Sequence, residues 1–582
     1  MHHRLGYLIA EAAPRPLLRL CAAAVTAVAL LSACTGGEQQ AVPQRQMVAA
    51  ANPLAAEAGM AMLRQGGSAV DAAIATALVL GLVEPQSSGL GGGAFLLHYD
   101  GETRGVAAYD GRETAPRSAD ETLFLKPDGT PMAFWDAVIG GRSVGVPGLL
   151  RMLELAHRDH GRLPWATLFE PAVRLAETGF AISPRLHSLI AEDKYLKRYP
   201  AAAAYFHDAA GNPLPVGHLL KNQAYADTLK AVAARGADAF YTGPIAVDIA
   251  EAARGADDNP GLLSYLDLRS YEAKRREPLC LPYRAWVVCG MPPPTSGGVA
   301  VLQILKLLEP FDLAALKSAS PQDVDARAIH LIAEASRLAF ADRGRFLADS
   351  DFVAVPLEAL LDPAYLAERA RLIDPTRSMG EASPGLPSQQ AQAPRQPNPP
   401  STSHLSVVDA QGNAVSMTAS IEGAFGSHLM ARGFMLNNEL TDFSFAPRAE
   451  GLPVANRVEA DKRPRSSMSP TLVLGRDGRL VMAIGSPGGS RIIAYTAKAI
   501  IAALDWQLSM QEAVALPNFA NRNGPTDAEA GTALEAARPA LEALGHEVNV
   551  IEMTSGLHGI RRTGAGLEGG ADPRREGVVL SD

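Results

Sequence analysis

Residues 70–82 limit what this chain can fold into more than any other stretch, because apart from Asp71 they are apolar nearly all round. A helix without a polar face has to be buried. Ser68 stands before it with Asp71 three residues on, the spacing of a capping box. From Val48 the chain reads as helical, with Asn52-Pro53 opening a segment to Gln65 and Gly66-Gly67 closing it. Helical patterning returns over 148–157, 323–346 and 495–513. Strand-like runs occupy 94–99, 286–288, 405–408, 414–420 and 471–474. Periodicity alone therefore describes a mixed α/β protein without internal repeats. Its 582 residues suit two ordinary domains or one large enzyme core. A hydrophobic content of 47% with 20% charged residues is that of a soluble globular protein, and a net charge of −9 leaves no basic footprint for nucleic acid.

The N-terminus reads as a separate signal. Arg4, Arg15 and Arg19 precede an apolar run over 20–31, which is shorter than the roughly 20 residues a bilayer span takes. Leu31-Ser32-Ala33-Cys34 follows and resembles a bacterial lipobox, in which the cysteine is lipidated. This makes residues 1–33 a lipoprotein signal and 34–46 a polar tether; the alternative is an ordinary cleaved signal with an incidental cysteine. Thr35 is not the Asp usual in inner-membrane retention, so the expected location is the periplasmic face of an outer membrane. Cys280 and Cys289 flank two short strands around a turn. Export favours a disulfide between them, against two reduced, packed thiols. No metal-ligand spacing occurs.

Residues 380–401 are rich in Pro, Gln and Ser and read as an extended linker. They run straight into an alternating strand that begins at Thr402. Two such runs flank Asp409-Ala410-Gln411-Gly412-Asn413, a turn with Gly and Asn available for positive φ. A hairpin centred near Gln411 sets Thr402 opposite Ser420, two hydroxyls meeting across the ladder.

Around that pair stand TSHLSVVDAQGNAVSMTAS, LNNELTDFS, KRPRSSMSPT and GSPGGSRI, in this order. Upstream are MVAAANPLAAEAGMAMLRQGGSAVDAAIATAL, GLGGGAF, YDGRETAP, GVPGLL and GMPPPTSGG. From about Met47 onward the set resembles the γ-glutamyltransferase family of N-terminal nucleophile hydrolases. The resemblance implies a four-layer αββα sandwich, class α+β. Its large subunit spans 47–379 followed by the 380–401 linker, and its small subunit 402–582, the two associating as a heterodimer. It implies self-cleavage between Ser401 and Thr402, which frees Thr402 as nucleophile with its own α-amine as base. Ser420 matches the family's second hydroxyl, usually Thr. Gly488 and Gly489 match the oxyanion hole. Arg112 matches the arginine that grips the donor's α-carboxylate, with Ser466 and Ser467 adding hydrogen bonds. Glu439 and Asp442 match the groups facing its ammonium, and Glu422 stands where relatives have Asn or Glu. His404 shares a face with Thr402, and a structural role fits it better than pairing with the nucleophile.

The implied reaction is ping-pong, from glutathione or another γ-glutamyl amide to water, an amino acid or a peptide, without cofactor or metal. Two departures stand out. Arg465 replaces the usual Leu beside the serines. The segment 443–461, a lid in some relatives, has no Tyr. Rival readings are a glutaryl-β-lactam acylase, whose substrate lacks the ammonium, and an uncleaved γ-glutamyl-binding lipoprotein. GLGGGAF follows a helix and precedes a strand, the wrong order for a dinucleotide site, and reads as a tight turn.

Overall fold

The computed structural model describes residues 45–320, 322–397 and 401–582. The signal segment, Cys34 and the tether up to residue 44 lie outside the described residues.

The apolar helix runs over Ala69–Val83, and every one of its residues is buried. Ser68 Oγ accepts the Asp71 N–H at 3.1 Å and Asp71 Oδ2 accepts the Ser68 N–H at 2.8 Å, closing the capping box. The same carboxylate oxygen also accepts the N–H groups of Arg162 and Leu163, which accounts for the one acid in an otherwise apolar sequence. Helix Pro53–Arg64, capped by Asn52, packs against it. At Gly59 the two approach so closely that a Cβ would lie 2.4 Å from Thr76 Oγ1.

Two sheets form the centre. The first is seven-stranded, in the order Val578–Ser581, Met47–Ala50, Ser403–Val408, Ala414–Ser420, Gly93–Tyr99, Val106–Gly111, Lys274–Arg276. The second is six-stranded, in the order Gly566–Ala571, His558–Thr563, Leu480–Gly485, Thr471–Gly475, Trp286–Gly290, Leu279–Tyr283. Strand periodicity sorts side chains between layers. Met47, Ala49, Phe95 and Leu97 meet Leu472, Leu474 and Ala483 between the sheets. Val48, Ala50, Leu96 and Val407 face the helices Pro53–Arg64, Ala69–Val83 and Leu149–His160. Val288, Val473, Met482 and Ile484 face Gly297–Leu308, Ala326–Phe346 and Ile492–Leu504. This is the four-layer αββα sandwich, with strands from both sides of Ser401–Thr402 in each sheet.

Two expectations on elements are corrected. The chain from Val48 is not helical at first: Met47–Ala50 is a strand, paired on both sides with Ser403–Val408 and Val578–Ser581. Partners hundreds of residues away decide its state, and no local pattern carries them. The run 495–513 is not one helix either. It ends at Leu504 and restarts at Met510, where Ser509 and Glu512 form a capping box that the periodicity concealed. Between them Trp506 turns inward, its indole N–H donating to the Leu313 carbonyl at 2.9 Å.

Cys280 and Cys289 are direct register partners on the edge hairpin of the second sheet and are joined by a disulfide. Over 380–397 the linker forms neither helix nor strand, yet it is tied down. The Ala391 N–H donates to the Pro453 carbonyl at 2.8 Å, and Gln396 bonds the backbone at Thr441, Phe443 and Phe445.

Candidate active site

The hairpin positions the hydroxyl pair. Ser403 pairs with Ala419 and His404 with Thr418, so the next step along the ladder is Thr402 with Ser420. Thr402 Oγ1 and Ser420 Oγ lie 3.0 Å apart, both residues buried. The turn is closed by Asp409 and Asn413, with Gly412 at φ 84°. Ser420 Oγ also accepts the Glu422 N–H at 2.8 Å.

The backbone at the Ser401–Thr402 junction is gripped from several sides. The Ser401 carbonyl accepts the Gly488 N–H at 3.1 Å. The Thr402 carbonyl accepts from Arg575 Nη1 at 2.7 Å, and Ser401 Oγ donates to the Gln86 carbonyl at 2.9 Å. Thr402 itself sits at φ 87°, left-handed backbone that a β-branched residue adopts only under constraint. Gly488 and Gly489 follow strand Leu480–Gly485 at φ 132° and 60°. A Cβ on Gly488 would meet the Tyr495 ring at 2.6 Å, so both conformation and space require glycine there.

His404 does not reach Thr402. Its ring bonds Thr418 Oγ1 at 2.9 Å and Ser406 Oγ at 3.1 Å. Burial, reinforced by His558, holds its pKa well below the ordinary histidine value, so it is a neutral structural group.

Thr402, Ser420, Glu422, Glu439, Asp442, Ser466, Ser467 and Gly489 together line one cleft. Arg112 and Gly488 are not in its lining, but Arg112 bonds two of its acids, Glu439 and Asp442, and Gly488 is the chain neighbour of Gly489. The Arg112 guanidinium is fully buried, donating to Glu439 through Nη1, to Asp442 Oδ2 through Nη2 at 2.5 Å, and to the Pro464 carbonyl through Nε at 3.0 Å. Carboxylates outnumber this one cation. Burial pushes Glu439 up to about 7, with Arg112 opposing and Asp442 adding to the rise. Glu422, accepting from Asn438 Nδ2 at 2.6 Å, is raised well above the carboxylate range by burial and by Asp442 and Glu439. Among the described residues Glu439 Oε2, buried, has no hydrogen-bond partner. Ser467 Oγ accepts from Arg343 Nη2 at 2.8 Å, and Ser466 Oγ accepts the Met468 N–H at 3.1 Å.

Sequence reasoning missed three groups. Arg575 holds the Thr402 carbonyl from 173 residues away, with no motif to announce it. Glu113 is wholly buried 3.8 Å from the Arg112 guanidinium, and its position inside DGRETAP was the available signal. Arg343 reaches Ser467 from the last turn of helix Ala326–Phe346. Among the described residues His330, Glu334 and His546 come near metal-ligand spacing. However, Arg337 donates to both Glu334 and His546, and His330 bonds His546 directly at 2.7 Å, so these atoms satisfy one another.

The sequence matches the family description Gamma-glutamyltranspeptidase over residues 55–581. It is 37% identical over 486 residues to the glutathione hydrolase proenzyme of Bacillus subtilis (strain 168), covering 81% of this chain and 80% of that protein. To the glutathione hydrolase proenzyme of Escherichia coli (strain K12) it is 36% identical over 550 residues, covering 91% and 90%. The structure of the cephalosporin acylase from Bacillus halodurans superposes with a TM-score of 0.77 at 27% identity, over 92% of this chain and 96% of that one. With the family matched over residues 55–581 and two relatives at 37% and 36% identity over most of their length, this chain belongs to the γ-glutamyltranspeptidase family.

Proposed function

We propose that the chain cuts itself between Ser401 and Thr402 and then transfers γ-glutamyl groups from glutathione or related amides to water, amino acids or peptides. The observation that carries this reading is the junction: the Thr402 hydroxyl beside Ser420, and the Ser401 carbonyl on the Gly488 N–H. Thr402 Oγ1 attacks that carbonyl, the C–O bond forms as the peptide C–N bond breaks, and water hydrolyses the ester. A carboxylate remains on Ser401 and an α-amine on Thr402. The left-handed φ of Thr402 is defined through the Ser401 carbonyl carbon, so cleavage removes that constraint.

In turnover the new α-amine takes the hydroxyl proton, with an unperturbed pKa of about 7.7–8.0 suited to that work. Gly488 and Gly489 are assigned the oxyanion of each tetrahedral intermediate. The donor's α-carboxylate takes over the Arg112 edges that Glu439 and Asp442 now hold, aided by Ser466 and Ser467. Glu439, Asp442 and Glu422 then face its ammonium, and the unpartnered Glu439 Oε2 is an acceptor for it. The acylase reading has support in the cephalosporin acylase likeness. A glutaryl group offers no ammonium to these acids, so a γ-glutamyl anilide should be cleaved far faster than a glutaryl anilide, and the reverse order would favour the acylase.

The deciding experiment is a denaturing gel. Folded wild type should run as two fragments split at Thr402, and Thr402→Ala as one. An intact wild-type band would count against the whole reading. Export with a lipid on Cys34 is proposed from the N-terminal sequence and fits the Cys280–Cys289 disulfide. Fatty-acid labelling that survives Cys34→Ala would refute the anchor.

A further inference from the structure

A second cavity adjoins the γ-glutamyl cleft and shares Asp442 with it, while Ser490, next to Gly489, lines its wall. Arg343, Arg465 and Arg522 all border it. Arg522 pairs with Asp527, and the charges of the other two are less well compensated. Among the described residues neither Arg343 nor Arg465 forms an ion pair with a carboxylate; Arg343 donates to the hydroxyls of Ser296 and Ser467. Arg465 Nη1 donates to the carbonyls of Arg343 and Leu347, at the C-terminus of helix Ala326–Phe346, and its buried Nε has no partner among the described residues. Capping a helix end accounts for one nitrogen of Arg465 and leaves the rest of the guanidinium unused. Burial, with Arg465 and Arg522 repelling it and Asp442 opposing, holds Arg343 well below the ordinary arginine value, and burial, again opposed by Asp442, brings Arg465 down to about 10. Of the acids on the walls, Asp442 is bonded to Arg112, Asp527 pairs with Arg491 and with Arg522 itself, and Glu381 pairs with Arg395. Two buried guanidinium groups that share one carboxylate, Asp442, at longer range and have none at ion-pair distance among the described residues cost free energy that an incoming anion would recover.

We propose that this cavity is the acceptor subsite and that it selects acidic acceptors, amino acids or dipeptides bearing a side-chain carboxylate besides the α-carboxylate. The inference rests on the γ-glutamyl transfer reading. The acceptor's neutral amine attacks the γ-glutamyl ester of Thr402. The new C–N bond forms as the C–Oγ1 bond breaks, and the amine's proton returns through the Thr402 α-amine to Oγ1. The arginines hold the acceptor's carboxylates meanwhile.

The test measures transfer from a γ-glutamyl anilide to glycylglutamate and to glycylglycine, using the self-cleaved enzyme. Wild type should favour glycylglutamate in kcat/KM by about ten-fold or more, the worth of one charge-assisted contact. The preference should shrink toward unity in Arg465→Leu and Arg522→Gln, and in wild type near 1 M salt, where the Debye length is about 3 Å. Arg522 has a third of its side chain exposed, so its variant serves if Arg465→Leu fails to fold and cleave. Equal use of both acceptors by wild type, or a preference that survives both the substitution and the salt, overturns the subsite while donor cleavage keeps the transferase reading standing. A wild type that neither cuts itself nor releases the anilide takes down both.

Discussion

At the scale of single residues, the site works through groups whose charge or shape is set by burial. Glu439 is pushed up to about 7, so below that pH it holds a proton and offers no charge to a donor ammonium. On the proposed mechanism the Thr402 α-amine must also be unprotonated to act as base. Donor kcat/KM should therefore fall as pH drops through both ionisations. In Glu439→Gln the step near 7 should vanish and KM should rise about ten-fold at alkaline pH, as pH–rate profiles would reveal. A profile unchanged in that variant would remove Glu439 from substrate binding. Gly488→Ala adds a Cβ at φ 132° against Tyr495, displacing the N–H that meets the Ser401 carbonyl. Self-cleavage, followed as fragment appearance with time, should slow by about 10²–10³-fold. Arg112, the serines and the acids were legible from motifs, because each motif is local. Arg575 was not, since a side chain that reaches its target across 173 residues leaves no spacing to read.

At the scale of elements, the Ser403–Val408 and Ala414–Ser420 hairpin holds Thr402 beside Ser420 because its register is pinned. Asp409 accepts the N–H groups of Gln411 and Asn413, so the turn cannot slip by a residue and carry Thr402 to the other face. Alternation and turn chemistry made this hairpin readable in advance. Strand Met47–Ala50 was unreadable for the opposite reason: four residues hold too little pattern, and its partners lie at 403–408 and 578–581. The edge hairpin Leu279–Tyr283 with Trp286–Gly290 has its own staple. Cys280 and Cys289 close a loop of sequence separation 9, for which chain entropy gives about 2–3 kcal/mol. Cys280→Ser with Cys289→Ser should lower thermal stability by about that amount without abolishing self-cleavage, measured by denaturant unfolding and by gel.

At the scale of the whole molecule, the proposed cut at Thr402 would not divide the protein into separable bodies. In the first sheet Ser403–Val408 lies between Met47–Ala50 and Ala414–Ser420, and Ala414–Ser420 in turn pairs with Gly93–Tyr99. In the second, Thr471–Gly475 pairs with Trp286–Gly290. The two fragments should therefore co-elute from a sizing column after cleavage and separate only under denaturant. Dissociation in native buffer would contradict the interleaved sheets. The sequence by itself determined the buried helix, the hairpin that pairs Thr402 with Ser420, the glycine pair and, through its ordered motifs, the family, because these depend on local periodicity, turn chemistry and residue type. Tertiary structure alone decided that Met47–Ala50 is a strand, that His404 is occupied by Thr418 and Ser406, that Arg575 holds the Thr402 carbonyl, and that Arg343, Arg465 and Arg522 share one cavity. Each of those depends on partners brought together by sheet pairing and layer packing, and separation along the chain carries no record of them.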